Sequence, residues 1–521
     1  MSHWLMPNID RMLAAATDGS AMDVVIVSTS SERQAAYWQE RLDATRGQVA
    51  GRDAMVIAVH EDWPGGAGNG LGTLYALQCA ARIARERDSV DLLARLRAGA
   101  SIALYHTAGK GTRMAPLPGA EANNKPGVKL PGALRIDGRT VPITILEAVI
   151  RQTAIYAPSR GGRVSVFWGD QIFVPSVDPS STPGHHADIL CSLGAMPDAP
   201  TWAVRGMDKY GLIAVDAQGD ARQVEKIDHA TASSLVADGR LAVDGGIGVS
   251  LGSFSMSAAL TDALLTEFAA ELAARSGKLD TDPHFWMPLT LDPQTYGQIM
   301  AGKGVTPQES AAHHARMQDF ATRLLAAAPE LRLFAAVDVG EEASWWDYGQ
   351  LARYQQYNLR LLDDDDEAVA MRRFFGIDDR RAGSQVSSDV DIDDVSIVLG
   401  CSLRRGKVRR CVLVGVDTET IEATELLAIA VAAPKITAQN AVIYNAASTE
   451  PIRLKDREVR ADAHLPPDDH VSLVTDLARH GGDDWHETLD GNPCSYDALH
   501  KRNQAVDPAA AEALAAKRRN G

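Results

Sequence analysis

Ser101-Ile-Ala-Leu-Tyr-His106 is a compact apolar run, followed at once by Ala108-Gly-Lys-Gly-Thr-Arg-Met114. A run this short and apolar suits a strand buried on both faces of a parallel sheet. Two glycines straight after it let the backbone turn and come close to a ligand. Amide donors in such a turn cradle phosphate. The Thr112 hydroxyl, the Arg113 guanidinium and the downstream cations Lys125 and Lys129, which stand before Leu130-Pro131, extend the same chemistry. The loop is neither a Walker sequence nor a Rossmann Gly-x-Gly-x-x-Gly. A surface turn with scattered basic residues is the plain alternative, and the surrounding segments decide between the two.

Gly-x-Gly-Thr-Arg-Met with a later Lys and Leu-Pro resembles the signature of the sugar-1-phosphate nucleotidyltransferases, or NDP-sugar pyrophosphorylases. Further segments resemble that family in its order: Ile145 to Ile150 its following helix, Val166-Phe-Trp-Gly-Asp170 its Gly-Asp strand end, and Lys209-Tyr-Gly211 with Val224-Glu225-Lys226 its sugar-side hairpin. Val243-Asp-Gly-Gly246-Ile-Gly-Val249 resembles the next strand, and Trp345-Trp-Asp347-x-Gly349 the second aspartate motif. Each piece is weak singly. Six in one order across roughly 240 residues supply the context a motif needs.

One departure concerns the order of the first strands. Asp23 to Thr29 and Ala54 to Val59 read as strands, and a glycine-rich stretch ending Gly68-Asn69-Gly70-Leu71-Gly72-Thr73 leads into a helical run. In the family such a Leu-Gly-Thr loop follows the arginine loop; here it precedes it, an order similar to L-fucose-1-phosphate guanylyltransferases. Parallel strands joined by right-handed crossovers fill the same places with different connections. The resemblance thus implies an α/β fold: a Rossmann-like mixed-sheet nucleotidyltransferase domain with permuted early strands over 1–375. A β-helix-like domain is expected over 386–446, and a C-terminal arm and fraying tail over 447–521. The β-helix reading rests on short β-branched pieces such as Val395 to Leu399, with apolar positions recurring about every six residues. A small β-sandwich is the competing structure. No histidine lies between 386 and 446, which removes the base that a second, acyl-transfer activity would need.

With 45% hydrophobic and 23% charged residues in 521, the chain can bury a large core. A net charge of −16 speaks against nucleic acid and anionic membranes as partners. Five dispersed cysteines without Cys-x-x-Cys, together with no membrane-length apolar run, lead us to expect reduced thiols and a cytoplasmic protein. The acidic run Asp363 to Glu367 reads as a solvated helix end, and His106, a lone histidine at a strand end, as structural.

The resemblance implies attack of a sugar-1-phosphate oxygen on the α-phosphorus of a nucleoside triphosphate, UTP or GTP, assisted by Mg²⁺. It makes Arg113, Lys125, Asp170 and Lys226 catalytic, with Asp170 and Asp347 holding the metal. Asn69, Gly72, Thr73, Gly109, Gly111 and Thr112 would bind the nucleotide, and Lys129, Gly211, Glu225 and Gly246 the acceptor. The stretch Met114 to Asn124 separates Arg113 from both lysines, so either could fill the catalytic place, with Lys125 slightly favoured. Lys278 to Trp286, rich in acids and aromatics, could shape the acceptor pocket or simply start a helix. Transfer to a cyclitol, alditol or choline phosphate and a non-catalytic nucleotide-sugar-binding regulator are the alternatives. The C-terminal domain could mediate a homo-oligomer.

Overall fold

The computed structural model describes residues 3–181 and 183–520. Its first layer is a sheet built on parallel strands. β1 (Val24–Thr29) lies between β2 (Met55–His60) and β3 (Ile102–His106), and β6 (Arg163–Trp168) pairs parallel on the far side of β3. The early strands thus take the interleaved positions expected of them. β1 and β3 are buried along their whole length because both faces are covered. Val25 and Val27 face one core with Tyr105 and Phe167, whereas Val24 and Ile26 face another with Leu104 and Val166. The Glu32–Ala44 helix, whose N-cap Ser31 accepts from the Gln34 amide, crosses between β1 and β2; the Gly68–Asp88 helix follows β2.

Between β3 and β6 the chain folds a small antiparallel hairpin, β4 (Lys129–Ile136) and β5 (Arg139–Thr144), and then the Ile145–Thr153 helix. β7 (Gln171–Val174) leaves the sheet, and β8 (His185–Gly194), β9 (Gly211–Val215), β10 (Ala221–Glu225) and β11 (Gly246–Ser257) complete the mixed half. β12 (Arg332–Asp338) pairs parallel to β8, and β13 (Ser344–Asp347) pairs antiparallel to β7 in a separate ribbon. No helix of the described residues is long and apolar enough to cross a membrane.

From Gln385 onward the chain forms a second, mostly parallel sheet. Val398, Leu413, Ala428 and Ile443 are partners on successive parallel strands, fifteen residues apart and all buried, so each strand sets its apolar residue beside the last. The register thus repeats every fifteen residues, where a period of about six was expected. This layer is not separated from the first by a free linker. Leu130, Tyr354 and Phe374 share one core with Val412, Leu427, Tyr444 and Val459.

The end of the chain also departs from expectation. Rather than fraying, the Pro508–Asn520 helix docks: Tyr37 donates to Glu512 at 3.3 Å, and Arg519 donates to Asn445 Oδ1 at 2.7 Å. Ahead of it, Trp485, Tyr496 and Leu499 pack with Leu465, Leu473 and Ala115, just beyond the glycine loop. A Cβ on Gly481 would lie 2.5 Å from the Thr112 carbonyl oxygen, so the arm lies directly on that loop. Replacing Trp485 with Ala should lower unfolding free energy by about 3 kcal/mol in urea titrations; a loss below about 0.5 kcal/mol would show that the arm is not held by this anchor.

Candidate active site

The β7–β13 ribbon sets the site. Its register puts Asp347 opposite Gln171, the neighbour of Asp170, so residues 177 positions apart in sequence meet at one end of two paired strands. Gly349 marks the meeting point. A Cβ there would lie 2.9 Å from Asp347 Oδ1, 3.4 Å from Asp170 Oδ2 and 3.7 Å from Arg113 Nη2. The Gly349 amide donates to Asp347 Oδ1 at 2.8 Å, and Lys125 Nζ stands 2.5 Å from Asp170 Oδ2. Both aspartates are largely withdrawn from water, a costly placement for like charges unless cations or ligands answer them. Lys125 answers Asp170, and Arg353, whose Nε lies 3.8 Å from Asp347 Oδ2, answers the other, with Arg113 approaching the same point.

Gly111 has φ 63°, and a Cβ there would come 3.0 Å from the Lys125 stem; the bare glycine lets the lysine reach across. Gly109 and Arg113 are exposed at the lip of the loop, whereas Thr112 faces the arm, its hydroxyl 3.3 Å from the Cβ position of Gly482. Lys110 Nζ sits 5.6 Å above the Trp485 ring.

Beside these groups opens a cleft of about 360 Å³, lined by His106, Lys125, Asp170, Tyr210, Ser250 and Trp345 among others. Its walls are aromatic: Phe173 stacks on Trp345, and His106 stacks on Trp168. Burial pushes the His106 pKa down to about 4, so the imidazole is neutral above that. Its Nε2 lies 2.8 Å from the Thr73 hydroxyl, a pair held inside the protein.

Several expected positions have other work. Thr73 is committed to His106 and buried; a Cβ on Gly72 would meet Glu61 at 3.1 Å. The Asn69 amide donates to Asp280 Oδ1, and its side-chain oxygen accepts from the Thr281 amide, which ties this turn to residues 279–281. None of the three is among the residues lining the cleft described above. Lys129 is buried, donates to both Glu121 oxygens at 2.7 Å, and its backbone is bonded to the Tyr444 and Tyr354 hydroxyls. Gly246, with φ 113°, permits close pairing of β11 against the Gly194 carbonyl. Lys226 is mostly exposed and pairs with Glu225 at 3.2 Å; Lys303 takes the other Glu225 oxygen at 2.7 Å. Gly211 follows the cleft residue Tyr210, and a Cβ on it would lie 3.5 Å from the Cβ of Ser250.

Among the described residues no group of three or more His, Cys, Asp or Glu is placed to hold a metal. The Asp170–Asp347 pair is nonetheless a hard-oxygen donor set, of the kind that shares a divalent cation with phosphate and water.

Sequence reasoning did not identify Tyr210, Ser250 or Trp345 as cleft residues, and it set His106 aside; each adjoins a segment it did identify. It passed over Gln223 entirely, since nothing in a strand sequence marks a buried amide. Asp282 lay in a flagged segment, at the start of a π-helix over Asp282–Trp286.

No family model matches the sequence, and no curated protein matches it. Among solved structures, HddC from Yersinia pseudotuberculosis aligns at 12% identity and TM-score 0.26, covering 67% of this chain and 83% of its own. A protein from Bacillus anthracis provisionally assigned as a glucose-1-phosphate thymidylyltransferase, in complex with a sucrose, aligns at 12% identity and TM-score 0.20, covering 66% and 97%.

Two stability outcomes follow from this geometry. Lys129→Met should cost about 3–5 kcal/mol because Glu121 is left charged and buried, and adding Glu121→Leu should recover most of it; no recovery in the double variant would refute the pairing. Burial and the nearby Glu225 raise the Asp282 pKa from 3.8 to about 6. The protonated form is therefore favoured in the fold, and its contribution is present below pH 3.8 and lost as pH rises through about 6. Asp282→Asn should match wild type near pH 3.5 and exceed it at pH 7 by about 1–3 kcal/mol in denaturant titrations. Equal stability at both pH values would contradict it.

Proposed function

We propose that this protein transfers a nucleotidyl group from a nucleoside triphosphate, UTP or GTP, to a sugar-1-phosphate, giving an NDP-sugar and pyrophosphate. The observation that supports it is the convergence of Asp170, Asp347 and Arg113 on Gly349, with Lys125 on Asp170, at the mouth of a cleft behind a glycine loop.

An oxygen of the acceptor phosphate, already ionised, forms the new bond to the α-phosphorus while the bond to the bridging oxygen breaks and pyrophosphate departs. Such chemistry needs positioning and charge neutralisation rather than a proton-transfer base. Asp170 and Asp347 would hold Mg²⁺, which when bound supplies charge to the phosphates. Gly109 and Gly111 keep the loop backbone bare for phosphate oxygens. Arg113, exposed at the lip, is free to swing a bidentate donor onto the leaving pyrophosphate. Lys125 is placed to exchange Asp170 for the α-phosphate or the acceptor phosphate. Lys226, mostly exposed, can turn from Glu225 to the acceptor phosphate. Neutral His106 and the Trp168 and Trp345 rings keep water from the reacting groups.

A second reading, transfer to phosphocholine, draws support from the Phe173, Tyr210 and Trp345 rings, since a quaternary ammonium favours aromatic walls.

Pyrophosphate release with Mg²⁺, single nucleotides and single acceptor phosphates tests the reaction. We expect turnover with one nucleotide and one sugar-1-phosphate, falling at least about a hundredfold in Asp170→Asn. Release that needs no acceptor, or persists in Asp170→Asn, would refute it.

A further inference from the structure

The second sheet carries a groove of about 580 Å³ that shares no lining residue with the cleft and that the proposed chemistry does not use. It crosses the strands Ser402–Lys407, Leu413–Thr424 and Leu427–Gln439 toward Glu458–Leu465 and Asp469–Asp476, and the terminal helix, packed on Glu458–Leu465, borders its far end. Short side chains clear its floor. Ala432 bridges to Ala447 and Ala433 lies opposite Thr418, so no long side chain rises from the middle.

The two ends differ in charge. At the near end Asp417 pairs with Arg404 at 3.1 Å, and Glu419 pairs with Arg405 at 2.6 Å. At the far end stand Arg460, Arg518, Arg519 and His470. Two of these cations are answered: Arg460 donates twice to the buried Asp462 at 2.9 Å, and Arg518 donates to Asp468 Oδ1 at 3.0 Å. Arg519 is not. Its Nη1 donates to the neutral Asn445 Oδ1 at 2.7 Å, and it makes no ion pair among the described residues. Glu121 and Glu512 attract it from the protein side, but Glu121 is bonded to Lys129 at 2.7 Å, and Glu512 stands 3.7 Å from both Arg41 and Lys129. Burial pulls its pKa below the ordinary arginine value, yet a guanidinium keeps its charge. A cation withdrawn from water with donors to spare calls for an anion.

We infer that this groove is a second ligand site, one that takes the phosphate monoester of a polyhydroxylated small molecule. The phosphate meets Arg519, with Arg518 and His470 beside it, where planar donor forks match its oxygens. The body lies over the alanine floor, and Asp417 and Glu419 accept hydrogen bonds from its hydroxyls. The same carboxylates repel a second phosphate at that end, which favours a monoester over a bisphosphate. A volume of about 580 Å³ suits a small molecule rather than a lone ion. Because Arg519 belongs to the helix that carries Glu512, a bound ester fastens that helix to the second sheet. The site is separate from the proposed transfer and does not depend on it.

Calorimetric titration of the full-length protein tests it, with glucose 6-phosphate, mannose 6-phosphate, glycerol 3-phosphate, glucose 1,6-bisphosphate and inorganic phosphate as probes. Wild type is compared with Arg519→Gln, Thr449→Glu and Arg113→Ala. Thr449 is exposed, lines the groove and makes no hydrogen bond among the described residues, so a glutamate there adds negative charge without removing a contact. At least one monoester should bind wild type about tenfold or more tightly than inorganic phosphate and the bisphosphate. Its Kd should rise about tenfold or more in Arg519→Gln and in Thr449→Glu, and stay within about twofold in Arg113→Ala. No monoester binding, tighter binding of the bisphosphate, or a loss confined to Arg113→Ala, which would place the ligand in the cleft, would overturn the inference. Should Arg519→Gln fail to fold, Thr449→Glu decides: an unchanged Kd there would overturn it.

Discussion

Two carboxylates withdrawn from water cannot sit together without an answering positive charge, and that constraint organises this protein. Asp170 ends the β6 segment and Asp347 ends β13; the β7–β13 ribbon brings them to one place, and nothing in its hydrogen bonding requires acids there. The answering charge comes from the far side of β3, where Gly111 lets the Lys125 stem cross and Arg113 approaches the same point. Arg353 pairs with Asp347 from the other side, so the carboxylates are held by cations from two elements. A site of this kind is poised to trade its internal cation for an external one, or for a polyanion that brings cations with it.

The C-terminal half belongs to the same arrangement. The second sheet shares a core with Leu130 and Tyr354, and the buried Lys129–Glu121 pair is clasped between Tyr444 and the terminal helix. The arm then returns over the glycine loop, with Gly481 against the Thr112 carbonyl and Trp485 beneath Lys110. The loop is therefore fixed from below by β3 and from above by residues nearly 370 positions later in the chain.

The strands around the loop were legible because buried parallel strands carry their signature locally: unbroken apolar runs such as Val24 to Val27 and Ile102 to Tyr105 bounded by polar turns. Asp170 and Asp347 were legible as motif positions, though only the ribbon register explains why they meet. What escaped was decided by contacts across long sequence distances. Spacing does not show that Lys125 lies on Asp170 while Lys129 is buried on Glu121, nor that the Thr73 hydroxyl meets His106. The fifteen-residue rung was hidden because Ala428 and Leu413 do not look alike in sequence, and the tail's polarity concealed that Glu512 and Arg519 find buried partners.

The central claim is that Asp170 and Asp347 act together as the seat of a cation that receives a nucleotide. Calorimetric titration of UTP and of GTP into wild type and Asp347→Asn, with and without Mg²⁺, tests it most directly. The account predicts that Mg²⁺ tightens binding of one nucleotide by about tenfold or more in wild type and leaves the variant's affinity unchanged. An equal effect of Mg²⁺ on both proteins would contradict it.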